Sequence, residues 1–307
     1  MDAALSISRP HAAHPAIAEL RPGRRFEGRF ACTRKERLTS RSGGTYLSLE
    51  LRDRSGRLPA RVFREADRIG LRFERGDAVL ARGKLERFRG DLVAELDDVR
   101  RLDPGSLDPN EFLPAAYRSV EELEGFLEHL VREVHDPGLR VVVERVVLSE
   151  PLAREFRRAP CTRGGHHAYL GGLLEHTVSV ATMVGELCQL HPRLDSDLLM
   201  AGAILHDVGK TREFTYGAEF GLSDEGRLLG HLAIGAQLIA SAAGELPPER
   251  RLLLVNCVLS HHGGEAGPGR AAREPGSRGF ASPEALALYR LNALDASVKG
   301  ALEHGTA

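Results

Sequence analysis

Between Phe26 and Leu102 the chain reads as strands. Apolar and polar residues alternate in Tyr46–Leu51 and Leu58–Phe63, the two-residue period of half-buried strands. FEGRFACTRKERL precedes a polar turn, SRSGG, and then TYLSLELRD; a second turn at Arg54–Gly56 leads into RLPARVF. Glu65–Leu71 fits a short helix. Asp77–Leu85 and Asp91–Leu102 supply two more strands, with a turn at Arg89 and Gly90. Five strands with one short helix between the third and fourth is the order of an OB-fold barrel.

The period changes after Leu102–Pro114, LDPGSLDPNEFLP, whose three prolines suit a linker. From Ser119 onward apolar residues recur every three or four positions, first in Val120–His135 and Gly138–Leu148. Seven or eight helices fill the rest. The expected organisation is a flexible tail over 1–19, an OB-fold domain over 20–103, a linker over 104–118 and an all-α domain over 119–307. Gly264–Pro283, rich in Gly, Pro and Arg, reads as a mobile surface loop.

Composition excludes some classes. No apolar run approaches the ~20 residues of a membrane span, and MDAALSISRPHAAHPA lacks the layout of a signal peptide. Cys32, Cys161, Cys188 and Cys257 are scattered, as reduced thiols of a cytoplasmic protein would be. The net charge of −1 hides an asymmetry: Leu20–Asp103 holds 22 Lys+Arg against 14 Asp+Glu, and the remainder 20 against 29. A basic module joined to an acidic one suggests that the first meets a polyanion. On an OB barrel the candidates for single-stranded nucleic acid are Lys35, Arg37, Tyr46, Arg61 and Phe63: cations for phosphates, rings for bases. Tyr46 and Phe63 serve equally well as barrel core.

The helical half carries the sharper signal. His176 lies in an apolar stripe with Leu173, Thr177, Val180, Val184 and Leu187. His206 and Asp207 end the next helix. His231 shares a face with Ile234 and Leu238. A helix apolar at Leu252, Val255 and Leu259 ends in His261 and His262, and Asp295 shares helical spacing with Leu288, Leu291, Val298 and Leu302. One such polar group would ordinarily be a hydrogen-bonded core residue. Five helices each presenting one point to a shared metal, because a carboxylate buried without a partner is costly. Mixed imidazole and carboxylate donors suit Mn²⁺, Fe²⁺, Co²⁺ or Zn²⁺. Such a site activates water, and a pair of ions can hold both oxygens of an in-line phosphoryl displacement. Lys210 is placed to neutralise a phosphate oxygen, or to complement a helix dipole.

The order His176, His206–Asp207, Asp295 resembles the HD superfamily of metal-dependent phosphohydrolases. More narrowly, HHAYLGGLLEHT (His166–Thr177), LHDVGK (Leu205–Lys210), GHLAIG (Gly230–Gly235), LSHHG (Leu259–Gly263) and SPEALALYRLNALDA (Ser282–Ala296) resemble the YhaM family. These are bacterial 3′→5′ exoribonucleases with an OB domain ahead of an HD domain. The resemblance spans about residues 24 to 302.

It implies an N-terminal all-β OB-fold barrel followed by an all-α HD-domain helical bundle. It also implies hydrolysis of single-stranded RNA, and of DNA as an extension, to nucleoside 5′-monophosphates with one or two divalent ions. Mn²⁺ comes first among these, with Co²⁺, Fe²⁺, Zn²⁺ and Mg²⁺ as others. By position, His176, His206, Asp207 and Asp295 are core ligands, and His231, His261 and His262 serve a second metal. Asp207, Lys210 and His231 are the catalytic candidates. His166, His167 and Lys210 are the substrate contacts, although the two histidines could instead order the loop before the helix. Tyr289 and Asn292 stand where relatives carry His and Asp, outside the expected ligand set. Two other functions fit the pattern less well: a phosphohydrolase of small or cyclic nucleotides, which needs no strand-binding groove, and a non-catalytic single-strand-binding protein with a structural metal. Oligomeric state cannot be read from these patterns.

Overall fold

The computed structural model describes residues 14–40, 43–263 and 280–305. Residues 1–13 of the expected tail and 264–279 of the expected loop lie outside them. The chain divides into two units. One comprises the residues up to Leu113 together with Gly217–Glu219, and the other the rest from Pro114 onward. No helix among the described residues is long and apolar enough to cross a membrane.

The first unit is a closed five-stranded barrel of β1 (Arg25–Thr39), β2 (Thr45–Asp53), β3 (Gly56–Val62), β4 (Ala78–Phe88) and β5 (Asp91–Arg101), in the order β1-β2-β3-β5-β4. The short helix α1 (Ala66–Gly70) follows β3. β1 is long enough to pair with both β2 and β4, and a register shift between Cys32 and Arg34 bends it from one to the other. The alternation read from the sequence sets the faces: Leu47, Leu49 and Leu51 of β2 and Leu58, Ala60 and Val62 of β3 point inward and are buried. The end of the expected tail belongs to this core. Ile17 is buried in it beside Leu20, the first residue of the expected OB domain, and the Ile17 amide donates to Asp53 Oδ2 at 2.7 Å. The expected linker is no free tether either. Phe112 is buried against Ala31 and Ala78, and Asp103 and Asp108 cap two short 3₁₀ turns.

The second unit is built from α2 (Val120–Arg132), α3 (Pro137–Val147), α4 (Leu152–Arg158), α5 (Gly172–Leu190), α6 (Ser196–Leu205), α7 (Lys210–Glu213), α8 (Asp224–Ala242), α9 (Pro248–Ser260) and α10 (Pro283–His304). It is not wholly helical: Phe214–Tyr216 (β6) and Phe220–Leu222 (β7) form a small hairpin. α6 is apolar all round from Leu198 to Leu205, and every one of those residues is buried. It is the central rod of the unit, as a helix with no polar face must be. Asp195 caps its start by accepting from the Leu198 amide.

Two expected buried faces are misplaced. On α9 the interior residues are Leu254, Cys257 and Val258, whereas Leu252 is 68% exposed. On α10 Leu288 is buried, but Val298 and Leu302 face solvent. Helical spacing fixes a stripe, and a helix packed over only part of its length leaves the rest of that stripe outside.

Candidate metal centre

The central rod ends by delivering His206 and Asp207 into the interior, where they are 0% and 1% exposed. The turn that follows is tight. A Cβ on Gly209 would lie 2.0 Å from the His231 carbonyl oxygen, so glycine lets this turn touch the backbone of α8. α8 is itself kinked at Gly230 (φ 69°), a conformation that favours glycine, and the kink sets His231 beside Asp207.

Asp207 stands between two groups of imidazoles. Its Oδ2 faces His206 Nε2 at 3.4 Å and His176 Nε2 at 3.7 Å. Its Oδ1 faces His261 Nε2 at 3.3 Å and His231 Nε2 at 3.5 Å. His262 joins the second group, with its Nε2 2.9 Å from that of His231. In each group the donor atoms lie within 4.8 Å of one another.

The rings are aimed from behind. His206 Nδ1 lies 2.8 Å from the Ala203 carbonyl and His261 Nδ1 lies 2.6 Å from that of Val258. A carbonyl only accepts, so both rings carry hydrogen on Nδ1 and present bare Nε2 lone pairs to the centre. Glu213 Oε1 approaches His231 Nδ1 at 3.4 Å. These residues fit a divalent cation. Among the described residues Asp207 Oδ1 and His261 Nε2 are buried with no hydrogen-bond partner, which is costly unless an ion takes them.

The electrostatics agree. Burial lowers the His261 imidazole to about 3, and lowers His166 and His262 to about 4. All three rings are held in the neutral form near pH 7, the form in which an imidazole can take a cation. Burial works against the charge of Asp207, but Lys210 and His206 hold its carboxyl well below the carboxylate range. Lys210 Nζ donates to Asp207 Oδ2 at 2.6 Å and to Cys161 Sγ at 3.3 Å, and Lys210 is only 4% exposed. Its ammonium is thus a buried partner of Asp207, not a solvated helix-end charge or a cation free for phosphate.

Two further expectations change. Asp295 does not face the cluster of Nε2 atoms. Its Oδ2 lies behind His176, 2.6 Å from Nδ1, and 2.9 Å from His167 Nε2. There it is placed to orient His176 from behind. His167 was expected to touch substrate, but it is 1% exposed and both ring nitrogens are engaged. Tyr169 Oη donates to Glu175 at 2.6 Å, so His167 Nδ1 must donate to Tyr169 at 2.8 Å while Nε2 donates to Asp295. A ring donating from both nitrogens is an imidazolium. Burial would lower its pKa, but the bonds to Asp295 and Glu175 raise it. His167 also has φ 49°, a strained value for a residue with a side chain, held by the hydrogen bond its N–H donates to the Glu303 carboxylate and the one its carbonyl accepts from the Cys161 N–H. His166 remains half-buried, with its Nε2 3.5 Å from Cys161 Sγ.

Sequence reasoning missed Cys161, Glu213 and Asn292 as parts of the site. A lone cysteine and a lone glutamate carry no spacing signal. Asn292 was visible only as a departure from relatives.

On the barrel, the inward–outward alternation puts Tyr46, Arg61 and Phe63 on the outer face. Tyr46 and Phe63 pair with ring centroids 5.4 Å apart, and Phe63 is 46% exposed, so neither ring is core. Arg61 lies over the exposed ring of Phe88, at 4.5 Å, a residue the sequence did not single out. Arg37 is exposed and paired with Asp67 at 2.7 Å. Lys35 is a correction. Its ammonium donates to the carbonyls of Gly70 and Phe73 at 2.7 and 2.5 Å and to Glu74 at 3.0 Å, tying down the end of α1. That leaves it no donor for a phosphate.

Known proteins agree with this architecture. The OB-fold nucleic acid binding domain family matches residues 28–102, and the HD domain family matches residues 173–297. The 3′-5′ exoribonuclease YhaM of Shouchella clausii is 30% identical over 257 residues, covering 82% of this chain and 77% of that protein. The YhaM proteins of Bacillus subtilis (29%; 72% of this chain, 71% of that one) and Listeria welshimeri (29%; 85% and 81%) are similar in the same way. With an OB barrel, an HD-type metal centre and relatives matched over most of both lengths, the chain belongs to the YhaM family of 3′-5′ exoribonucleases.

Proposed function

We propose that this protein is a metal-dependent 3′→5′ exonuclease that hydrolyses single-stranded RNA, and DNA as an extension, to nucleoside 5′-monophosphates. The observation that carries the reading is Asp207, with one oxygen turned to each of two imidazole groups. Divalent ions bound there supply Lewis acidity and an activated water for phosphodiester cleavage, Mn²⁺ foremost. His176 and His206 would hold one position and His231, His261 and His262 the other, with Asp207 shared.

The chain's own residues prepare that chemistry. Lys210 offsets the charge of Asp207, so the carboxylate stays ionised in the interior. The His167 imidazolium, between Asp295 and Glu175, fixes Asp295, which in turn fixes His176. His166, neutral and half-buried, is the histidine of its pair left free to touch a substrate. On the barrel, Tyr46, Arg61 and Phe63, with Phe88, offer rings and a cation to a flexible strand.

The test uses 5′-labelled single-stranded RNA and metal-stripped protein, with Mn²⁺ added. Wild type should give a ladder shortening from the 3′ end and release 5′-monophosphates, and Asp207→Ala should give neither. An intact strand with Mn²⁺, Co²⁺ and Mg²⁺ would contradict the proposal and favour a small-nucleotide substrate.

A further inference from the structure

Asn292 lies on α10, one turn before Asp295, and is 6% exposed. Its Nδ2 donates to the His261 carbonyl at 3.2 Å, which fixes the two ends of the amide. Its Oδ1 therefore faces His176 Nε2, 3.0 Å away. A His176 that binds a metal carries its one N–H on Nδ1, bonded to the Asp295 carboxylate, and turns a bare Nε2 toward the Asn292 oxygen. His206 presents a second bare Nε2, 3.1 Å from that of His176. Asp207 Oδ2 lies 3.4 and 3.7 Å from these nitrogens. His206 Nε2, Asn292 Oδ1 and Asp207 Oδ2, all acceptors, thus lie within 3.7 Å of His176 Nε2. Such a group repels itself unless a cation sits at its centre.

We infer that Asn292 Oδ1 is the fourth protein donor to the first metal position, and that Asp295 is the positioning residue behind His176. This deepens the metal-dependent reading and rests on it. The consequence is an unequal pair of sites. Among the described residues the only anionic donor at the first position is an oxygen that also holds Lys210, and an amide oxygen attracts a divalent ion less than a carboxylate does. The second position has three imidazoles and the other Asp207 oxygen, free of Lys210. The first position is therefore the weaker and fills last.

The experiment titrates metal-stripped wild type, Asn292→Asp and Asn292→Ala with Mn²⁺ and follows the free ion by its electron paramagnetic resonance signal. Asn292→Asp should tighten the weaker site, or make a second site newly visible, by about tenfold or more. Asn292→Ala should weaken it by a similar factor, and both should leave the tighter site within about twofold. Asn292→Asp should also enlarge the Mn²⁺-induced rise in melting temperature, and circular dichroism establishes that each variant folds. If both variants bind Mn²⁺ as wild type does, the assignment is wrong. A wild type that binds no Mn²⁺ would overturn the metal reading itself, and the assignment with it.

Discussion

The interior of the barrel and the interior of the helical unit follow different rules. Phe30, Leu49, Leu58, Val79 and Val99 fill the barrel, and Asp53 is the only buried charged group among its described residues. Asp53 serves backbone amides, those of Ser55 and Gly56 in the next turn through Oδ1 and that of Ile17 through Oδ2. The helical unit has an apolar core of its own, yet it buries His167, His176, His206, Asp207, Lys210, His261 and Asn292 together. A packed apolar interior only stabilises, so the barrel's binding chemistry must lie on its outer face. A polar interior costs stability wherever it is not satisfied. The helical unit accepts that cost around one carboxylate, and its chemistry is therefore inside.

The largest expected effect of breaking the barrel's rule is on stability. Leu49→Ala removes a fully buried side chain and should cost ~2–5 kcal/mol in denaturant unfolding, while Mn²⁺ titration of the folded protein stays as in wild type. A change in metal affinity would mean that the two interiors are not separable in this way. Next comes the network behind the metal centre. Asp295→Asn removes the charge that His176 and His167 share and should weaken Mn²⁺ binding about 10–100-fold, the range for residues that orient a ligand. Complete loss of the first position would return Asp295 to the ligand set. The smallest effect is expected outside the barrel. Phe63→Ala should weaken single-stranded RNA binding by ~1 kcal/mol, the low end for stacking on a part-exposed ring, with no change in melting temperature. Fluorescence anisotropy of a labelled oligonucleotide measures the first, and a large drop in melting temperature would place Phe63 in the core after all.

How much of this was legible in the sequence follows from the same contrast. Barrel strands announce themselves, because alternation along β2 and β3 is set by the residues themselves, and each expected strand matches its observed bounds within a few residues. The imidazole set was legible too, since His176, His206, His231 and His261 each stand at a helical position that should be inside. Other features depend on geometry that spacing does not encode. Asp295 and Asn292 are three residues apart on one helix, and only the rotation of α10 decides which faces the Nε2 atoms. Lys35 looks like a phosphate-binding cation until the carbonyls of Gly70 and Phe73 come within its reach. Cys161 enters the site only because the chain before α5 folds back on it.

On the function proposed above, Asp207 is shared between two cation positions of unlike composition. The most direct measurement is a crystal structure of the protein soaked with Mn²⁺, read by anomalous difference density. Two peaks are expected about 3.5–4 Å apart, one against His176, His206 and Asn292 and one against His231, His261 and His262, each in contact with an oxygen of Asp207. Mn²⁺ bound only at surface carboxylates, with Asp207 bare, would contradict that function.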